Sequence, residues 1–438
     1  MEVDKTTLND LSIFNHEEEF SIFHKLDFTK TAGGREQLKS IFSKSLSTIE
    51  TIQGIQQTLQ LIIEKKSHWP SSISNGTIMV IQKFFESPID QIPSNPSPAA
   101  AYSYKLLHGP DFSLVKYSTG HCFDFVKGMQ SMIKHFLARK TPEPINKILS
   151  RAGVIMDKEQ FGIVTKKDRA NLLSTTEMLH LANFFRYHYK QNIFELLEIY
   201  FQLDAWYGMA SAVEHYKLNF PNFRASPEPT IQATGLYHIL LPQPVSYDIR
   251  LDQQNNFVFL TGANMAGKST FIKSVGAAIF LAHLGMGVPC ESMELSLFDG
   301  LLSNINVVDN IVKGESYFYN EVQRIKNTIL KINDGRKWLI LIDELFKGTN
   351  IQDAMKCSTT VIKGLIKIKN SLFILSTHLY EIGESLQSHP NIAFKYFETT
   401  VDDEQLRFSY QLKDGLSQDR IGYLILKKEK VIELLDNL

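Results

Sequence analysis

The sequence predicts an α + α/β protein: an all-helical part over residues 1–225, followed by an α/β part over residues 226–438. Three observations predict it. In the first half, apolar residues recur at three- and four-residue steps, with few glycines and no strand-like alternation of useful length. The segment NFPNFRASPEP at Asn219–Pro229 then breaks the helical texture. Beyond Thr230, short β-branched or aromatic runs alternate with helical segments, the mark of an α/β sheet.

Taken in chain order, the helical part is itself divided. Ser87–Ala99, SPIDQIPSNPSPA, carries four prolines; proline removes a backbone donor and disfavours helix in the residue before it, so this stretch is a connector. The residues Ile193, Phe194, Leu196, Leu197, Tyr200, Leu203, Trp206, Tyr207, Ala210 and Val213 trace a wide apolar stripe on one long helix, read as core. In the second part the clearest strands are Asn256–Thr261, Trp338–Ile342 and Leu372–Ser376.

Composition narrows the class. Hydrophobic residues at 43% and charged residues at 21% describe a folded globular chain of 438 residues, long enough for two or three domains. The start, MEVDKTTLNDLSIF, has acidic residues where an export signal needs a basic region, so the expected setting is intracellular and cytoplasmic. Phe271–Pro289 is the most apolar stretch, but it carries Lys273 and His283 and reads as a buried helix, not a membrane span. Cys122, Cys290 and Cys357 lie too far apart for a disulfide framework or a paired-cysteine metal site and read as buried small hydrophobes. A formal net charge of −1 lends no support to nucleic-acid binding, although it says nothing of local patches.

Chemistry concentrates at three strand ends. Residues 257–270, FVFLTGANMAGKST, are a strand running into Gly262-x4-Gly267-Lys268-Ser269 and then an apolar helix. That is a phosphate-binding loop in its required context: glycines let backbone N–H groups curl around phosphate oxygens, and the helix N-terminus adds partial positive charge. The whole run Gly262, Ala263, Asn264, Met265, Ala266, Gly267, Lys268, Ser269 and Thr270 is therefore expected to hold ATP. Lys268 would reach the β and γ phosphates, and Ser269 would offer a hydroxyl to Mg2+. Downstream, WLILIDELFKGTN ends a hydrophobic strand in Asp343 and Glu344. Asp343 suits a Mg2+ role, direct or through water, and Glu344 that of a general base for the attacking water. A third strand, SLFILSTHLYEI, ends in Thr377-His378, where the histidine would hydrogen-bond the γ phosphate.

TGANMAGKST, IDELFKGTN and STHLYEI together resemble the ATPase domain of the MutS family, whose motifs read close to TGPNMGGKST, DE-GRGTS and ATH. The Asn264-Met265 pair is the discriminating detail. Gly314–Ile325, GESYFYNEVQRI, is similar to the family's signature segment, close to GRSTFMVEM, with Ser316 and Glu321 in matching places; a transporter-type LSGGQ signature is absent. Tyr317 stands where the family has threonine, Ala266 where it has glycine, and Phe346-Lys347 where it has Gly-Arg. Phe28–Phe42 with the following IETIQGIQQTLQLI resembles the opening of the family's helical core. FELLEIYFQLDAWYGMASAVEHY resembles its lever helix, and Gly235-Leu236-Tyr237-His238 its Gly-Arg-His-Pro turn.

The resemblance implies a core and lever domain over 1–225 and a P-loop, ABC-like ATPase domain over 226–438. It implies further that Ser316 of one subunit completes the nucleotide site of another, hence a dimer, most simply a homodimer. The resemblance places the start of these 438 residues almost at the core, so the family's N-terminal mismatch-reading and connector domains, and a further C-terminal module, are not expected within them. Phe84-Phe85-Glu86 matches the mismatch reader's Phe-x-Glu only formally and is given no role. Three readings stay open: an ATPase switch that grips mismatched or branched DNA; the same fold acting on a protein or other non-DNA target; and a nucleotide-binding scaffold without turnover.

Overall fold

The computed structural model describes residues 1–305, 317–402, 405–417, 430, 431 and 434. The chain forms two compact units. One comprises Met1–Lys25, Ser45–Ile52 and Tyr216–Leu438, the other Leu26–Lys44 and Gln53–His215. In chain order the helices are α1 (Lys5–Asp10), α2 (Ile22–Leu26), α3 (Ala32–Ser43), α4 (Ile49–Glu64), α5 (Asn75–Glu86), α6 (Pro98–Leu107), α7 (Gly109–Phe136) and α8 (Glu143–Ile155). They continue with α9 (Phe161–Lys166), α10 (Thr175–Asn183), α11 (Lys190–Tyr216), α12 (Lys268–His283), α13 (Tyr317–Ile332), α14 (Ile351–Leu365) and α15 (Glu381–Leu386).

In the helical unit, local signals set the helix starts. Ser74 and Thr77 form a reciprocal capping box at α5, and Ser174 and Glu177 form another at α10. The proline connector stays non-helical until Ser97 caps α6, with Pro98 in the first turn where its missing N–H costs nothing. Phe84 and Phe85 are buried in α5, which explains that pair as core. A buried carboxylate ties the unit's first helix to its last. Asp204 of α11 is fully buried and accepts hydrogen bonds from the Lys30 amide (3.0 and 3.1 Å), the Thr31 amide (2.9 Å) and the Thr31 hydroxyl (2.7 Å). Gly34 is required beside it, because an added Cβ would stand 2.1 Å from the Asp204 carboxylate. The FTKTAGG run is thus a packing and capping motif for α3 and α11.

The other unit is built on a seven-stranded sheet. Its strands are β1 (Glu2–Val3), β5 (Phe257–Thr261), β7 (Gly300–Asn304), β8 (Trp338–Asp343), β9 (Ser371–Ser376), β10 (Ile392–Asp402) and β11 (Gln405–Asp414), in the order β1-β7-β8-β9-β5-β10-β11. All pairs are parallel except β10 with β11. FVFLT, WLILID and SLFILS are buried along their whole length, as central parallel strands covered on both faces must be. A second, four-stranded sheet has the order β2-β6-β3-β4, from β2 (Asn222–Arg224), β6 (Ser292–Ser296), β3 (Ile231–Leu236) and β4 (Tyr247–Leu251).

The start of the chain belongs with this sheet, whereas the sequence reading grouped it with the helices. β1 pairs with β7, and Leu11 packs where a Cβ on Gly276 of α12 would fall. A two-residue strand is too short to show alternation, which is why the pattern could not reveal it. Cys122 and Cys290 are buried as expected; Cys357 is only partly buried, against the sheet's core.

Candidate functional site

Register brings the three motifs together. β5, β8 and β9 are parallel neighbours, with Leu260 paired to Ser376 and Asp343 paired to the same Ser376. Their carboxyl ends therefore deliver Gly262, Asp343-Glu344 and Thr377-His378 to one crevice, the usual place for a ligand in an open α/β sheet. Main-chain bonds lock the exits: the Glu344 amide donates to Ser376 O at 3.0 Å, and the Thr377 amide to Leu260 O at 2.9 Å.

The loop bends as its glycines require. Gly262 has φ +136 and Gly267 φ +111, left-handed values that glycine adopts without strain. Met265 also has φ +70, and its side chain is 75% exposed. Ala266 and Ala263 are buried, and Gly267 opens α12, so the first helical amides face the crevice.

Around the loop the charged groups interlock. The Lys268 ammonium donates to Gly262 O (2.8 Å) and Ala263 O (2.9 Å) and lies 3.5 Å from both ring nitrogens of His378. Burial pulls its pKa down to about 8, against the pull of Glu344 and Asp343 in the other direction. Ser269 Oγ donates to Asp343 Oδ2 at 2.5 Å, and Ser376 Oγ donates to Asp343 Oδ1. His378 Nε2 meets Glu344 Oε1 at 2.6 Å, and Lys347 Nζ lies 3.3 Å from Glu344 Oε2. Burial pushes the Glu344 carboxyl up, but the bond to His378 and the nearby positive charges outweigh it and hold the pKa at about 2. Ser269, Asp343 and Ser376 give an all-oxygen donor group at the foot of the loop, which fits a small hard cation such as Mg2+.

Of the residues read from the sequence, Lys268, Ser269, Asp343, Glu344 and His378 share this crevice; Asn264 and Thr270 line it. Ser316 lies outside the described residues. His378 differs in placement from a residue aimed at phosphate alone, since it is paired with Glu344.

The sequence reading missed the wall of the crevice. A cavity of about 510 Å3 opens beside the loop, lined also by Leu241, Gln243, Val245, Tyr247 and Tyr410. Its volume lies within the range of small-molecule pockets. Tyr247 is fixed by edge contacts to Phe271 (5.4 Å) and Phe397 (5.7 Å). These residues come from loops and edge strands remote in sequence; the paired prolines of LLPQPVSY were the one local hint of a shaped turn.

An α/β domain with a glycine-rich loop at the end of an interior strand is the class that fold and site define. Residues 258–433 match MutS domain V. The chain is 30% identical over 182 residues to DNA mismatch repair protein spellchecker 1 of Drosophila melanogaster, covering 42% of this chain and 20% of that protein. It is 26% identical over 245 residues to DNA mismatch repair protein MutS of Staphylococcus haemolyticus, covering 55% of this chain and 27% of that one. It is 29% identical over 180 residues to the MutS of Petrotoga mobilis, covering 41% and 22%. The chain therefore carries a MutS-family domain over residues 258–433, and its matches span between 20% and 27% of these relatives' length. Among the described residues no helix is long and apolar enough to cross a membrane.

Proposed function

We propose that this chain binds ATP with Mg2+ at Gly262–Thr270 and hydrolyses it, and that two such domains face each other so that Ser316 of one completes the site of the other. The observation that carries the catalytic part is the convergence of Lys268, Ser269, Asp343, Glu344 and His378 at the ends of three adjacent strands. The loop amides and the α12 N-terminus cradle the phosphates, with Lys268 as the movable cation. Mg2+, held by Ser269 and Asp343, would neutralise charge on the β and γ oxygens. Glu344 is ionised at neutral pH, and His378 fixes its orientation. A carboxylate held between His378 and Lys347 aligns the attacking water and accepts its proton. The aromatic and aliphatic wall of Leu241, Val245, Tyr247 and Tyr410 suits the adenine ring.

The target is read as mismatched or branched DNA, gripped by the helical unit of Leu26–Lys44 and Gln53–His215 and released through the ATP cycle in repair or recombination. The relatives' names as DNA mismatch repair proteins support it. A formal net charge of −1 favours a second reading, a protein or other non-DNA target without mismatch recognition. The deciding experiment is the ATP turnover rate across protein concentration, with and without homoduplex, mismatched and branched DNA, beside a salt titration of binding. Rate per chain that rises with concentration, stimulation by one DNA form and a steep salt slope are expected. Turnover without stimulation and binding indifferent to salt move the account to the second reading; no turnover at any concentration ends both.

A further inference from the structure

The geometry points to Glu321 as a positioning residue: from α13 it sets the turn Glu344–Gly348, and so the direction in which Glu344 faces the crevice. The inference rests on the role given to Glu344 above and deepens it. The starting observation is strain. Glu344 and Phe346 have φ +66 and +59, left-handed values for residues with a side chain. Such conformations are strained for a residue with a side chain and persist only where neighbours enforce them.

The enforcement comes from α13. Glu321 Oε1 accepts the Lys347 N–H at 3.1 Å, and Oε2 accepts the Gly348 N–H at 3.2 Å. One turn earlier on the same helix, Phe318 packs on Phe346 with ring centroids 5.7 Å apart. Glu321 is only 4% exposed. Burial pushes its carboxyl up, and the amides of Lys347 and Gly348 pull it down. Both carboxylate oxygens are thus used on two successive amides of one turn.

α13 is itself held to the sheet. Arg324 Nη2 donates to Ser303 O at 3.4 Å and lies 3.8 Å from Asp10, and Asn304 donates to the Thr328 hydroxyl at 3.2 Å. The order of support is therefore β7 to α13, α13 through Glu321 to the turn, and the turn through Lys347 to Glu344 and His378. Glutamine at 321 keeps the size but replaces one acceptor by an NH2 that meets an amide N–H donor to donor. Aspartate keeps both acceptors on a shorter arm.

The test uses the full chain and four variants, Glu321→Gln, Glu321→Asp, Glu344→Gln and the double variant Glu321→Gln/Glu344→Gln. Steady-state turnover is measured beside the affinity for a fluorescent ATP analogue with Mg2+. Glu321→Gln is expected to lower kcat by about 10- to 100-fold, the scale of an ångström of misplacement, with KM and analogue affinity within about twofold of the wild type. Glu321→Asp should recover part of that loss and stands in if the glutamine variant does not fold. In the Glu344→Gln background, Glu321→Gln should change residual turnover by less than about twofold, because both act on one group. Unchanged kcat in Glu321→Gln and Glu321→Asp, or affinity lost in parallel with kcat, overturns the inference while leaving Glu344 in place. So does an equal loss in the Glu344→Gln background. Wild-type turnover in Glu344→Gln itself instead removes the reading on which the inference stands.

Discussion

Asp204 in the helical unit and Glu344 at the strand ends are both carboxylates drawn out of water, yet their partners differ in kind. Asp204 is bonded to two backbone amides and a hydroxyl, groups that do not titrate and cannot leave. Burial is the largest influence on its carboxyl and pushes it up. Glu344 faces a histidine and a lysine on flexible stems, sits on strained backbone and is held at about 2. The first arrangement is a knot that fixes two helices; the second, in the proposed site, keeps a charge ready for a partner that arrives. Burial alone does not tell a structural acid from a working one: the mobility and charge of its partners do.

The sharpest way to break the contrast is at the two centres. Lys268→Ala removes the cation proposed to meet phosphate, and ATP affinity should fall by about 100-fold, as for loss of a charge-assisted bond; isothermal titration with Mg-ATP checks it. Asp204→Ala leaves two amides and a hydroxyl unpaired in the core and should cost about 3 kcal/mol of stability in urea unfolding, with ATP affinity intact. If Asp204→Ala leaves stability unchanged, the knot is decorative and the comparison fails on that side. His378→Asn removes the group that orients Glu344 and should lower kcat by about tenfold with little change in KM.

A smaller effect concerns pH. His283 is fully buried and neutral: its Nδ1–H donates to Ile279 O at 2.8 Å, its Nε2 accepts the Phe298 amide at 3.0 Å, and burial lowers its pKa from 6.5 to about 3. The unfolded chain binds the proton first, so stability from this group is complete above the unfolded value of 6.5 and drains away as pH falls toward 3. Unfolding free energies from denaturant titrations at pH 7 and pH 4.5 should differ by on the order of 2 kcal/mol from this source, and by less in His283→Gln. His238, lowered to about 4 chiefly by burial, acts in the same sense.

Much of this was legible in the sequence because the signals are local. Three buried strands, the glycine loop and the acid pair are each read within a window of a dozen residues or fewer, and parallel pairing converts strand ends into one crevice. The α11 stripe and the proline connector were legible for the same reason. What escaped is long-range. β1 joins β7 across almost three hundred residues, Tyr410 reaches the crevice from an edge strand, and Asp204 meets Thr31 across 173 positions. Glu321 could be matched to a motif, but its bond to the Lys347 and Gly348 amides needs the fold to be seen.

The central claim is that the strand-end acid works on bound ATP, and Glu344→Gln tests it most directly. Rapid-mixing hydrolysis of a single bound Mg-ATP, with analogue affinity measured in parallel, should show the chemical step slowed by at least about 100-fold, the lower end for loss of a positioned base, with affinity unchanged or tighter. Hydrolysis at the wild-type rate in that variant contradicts the account.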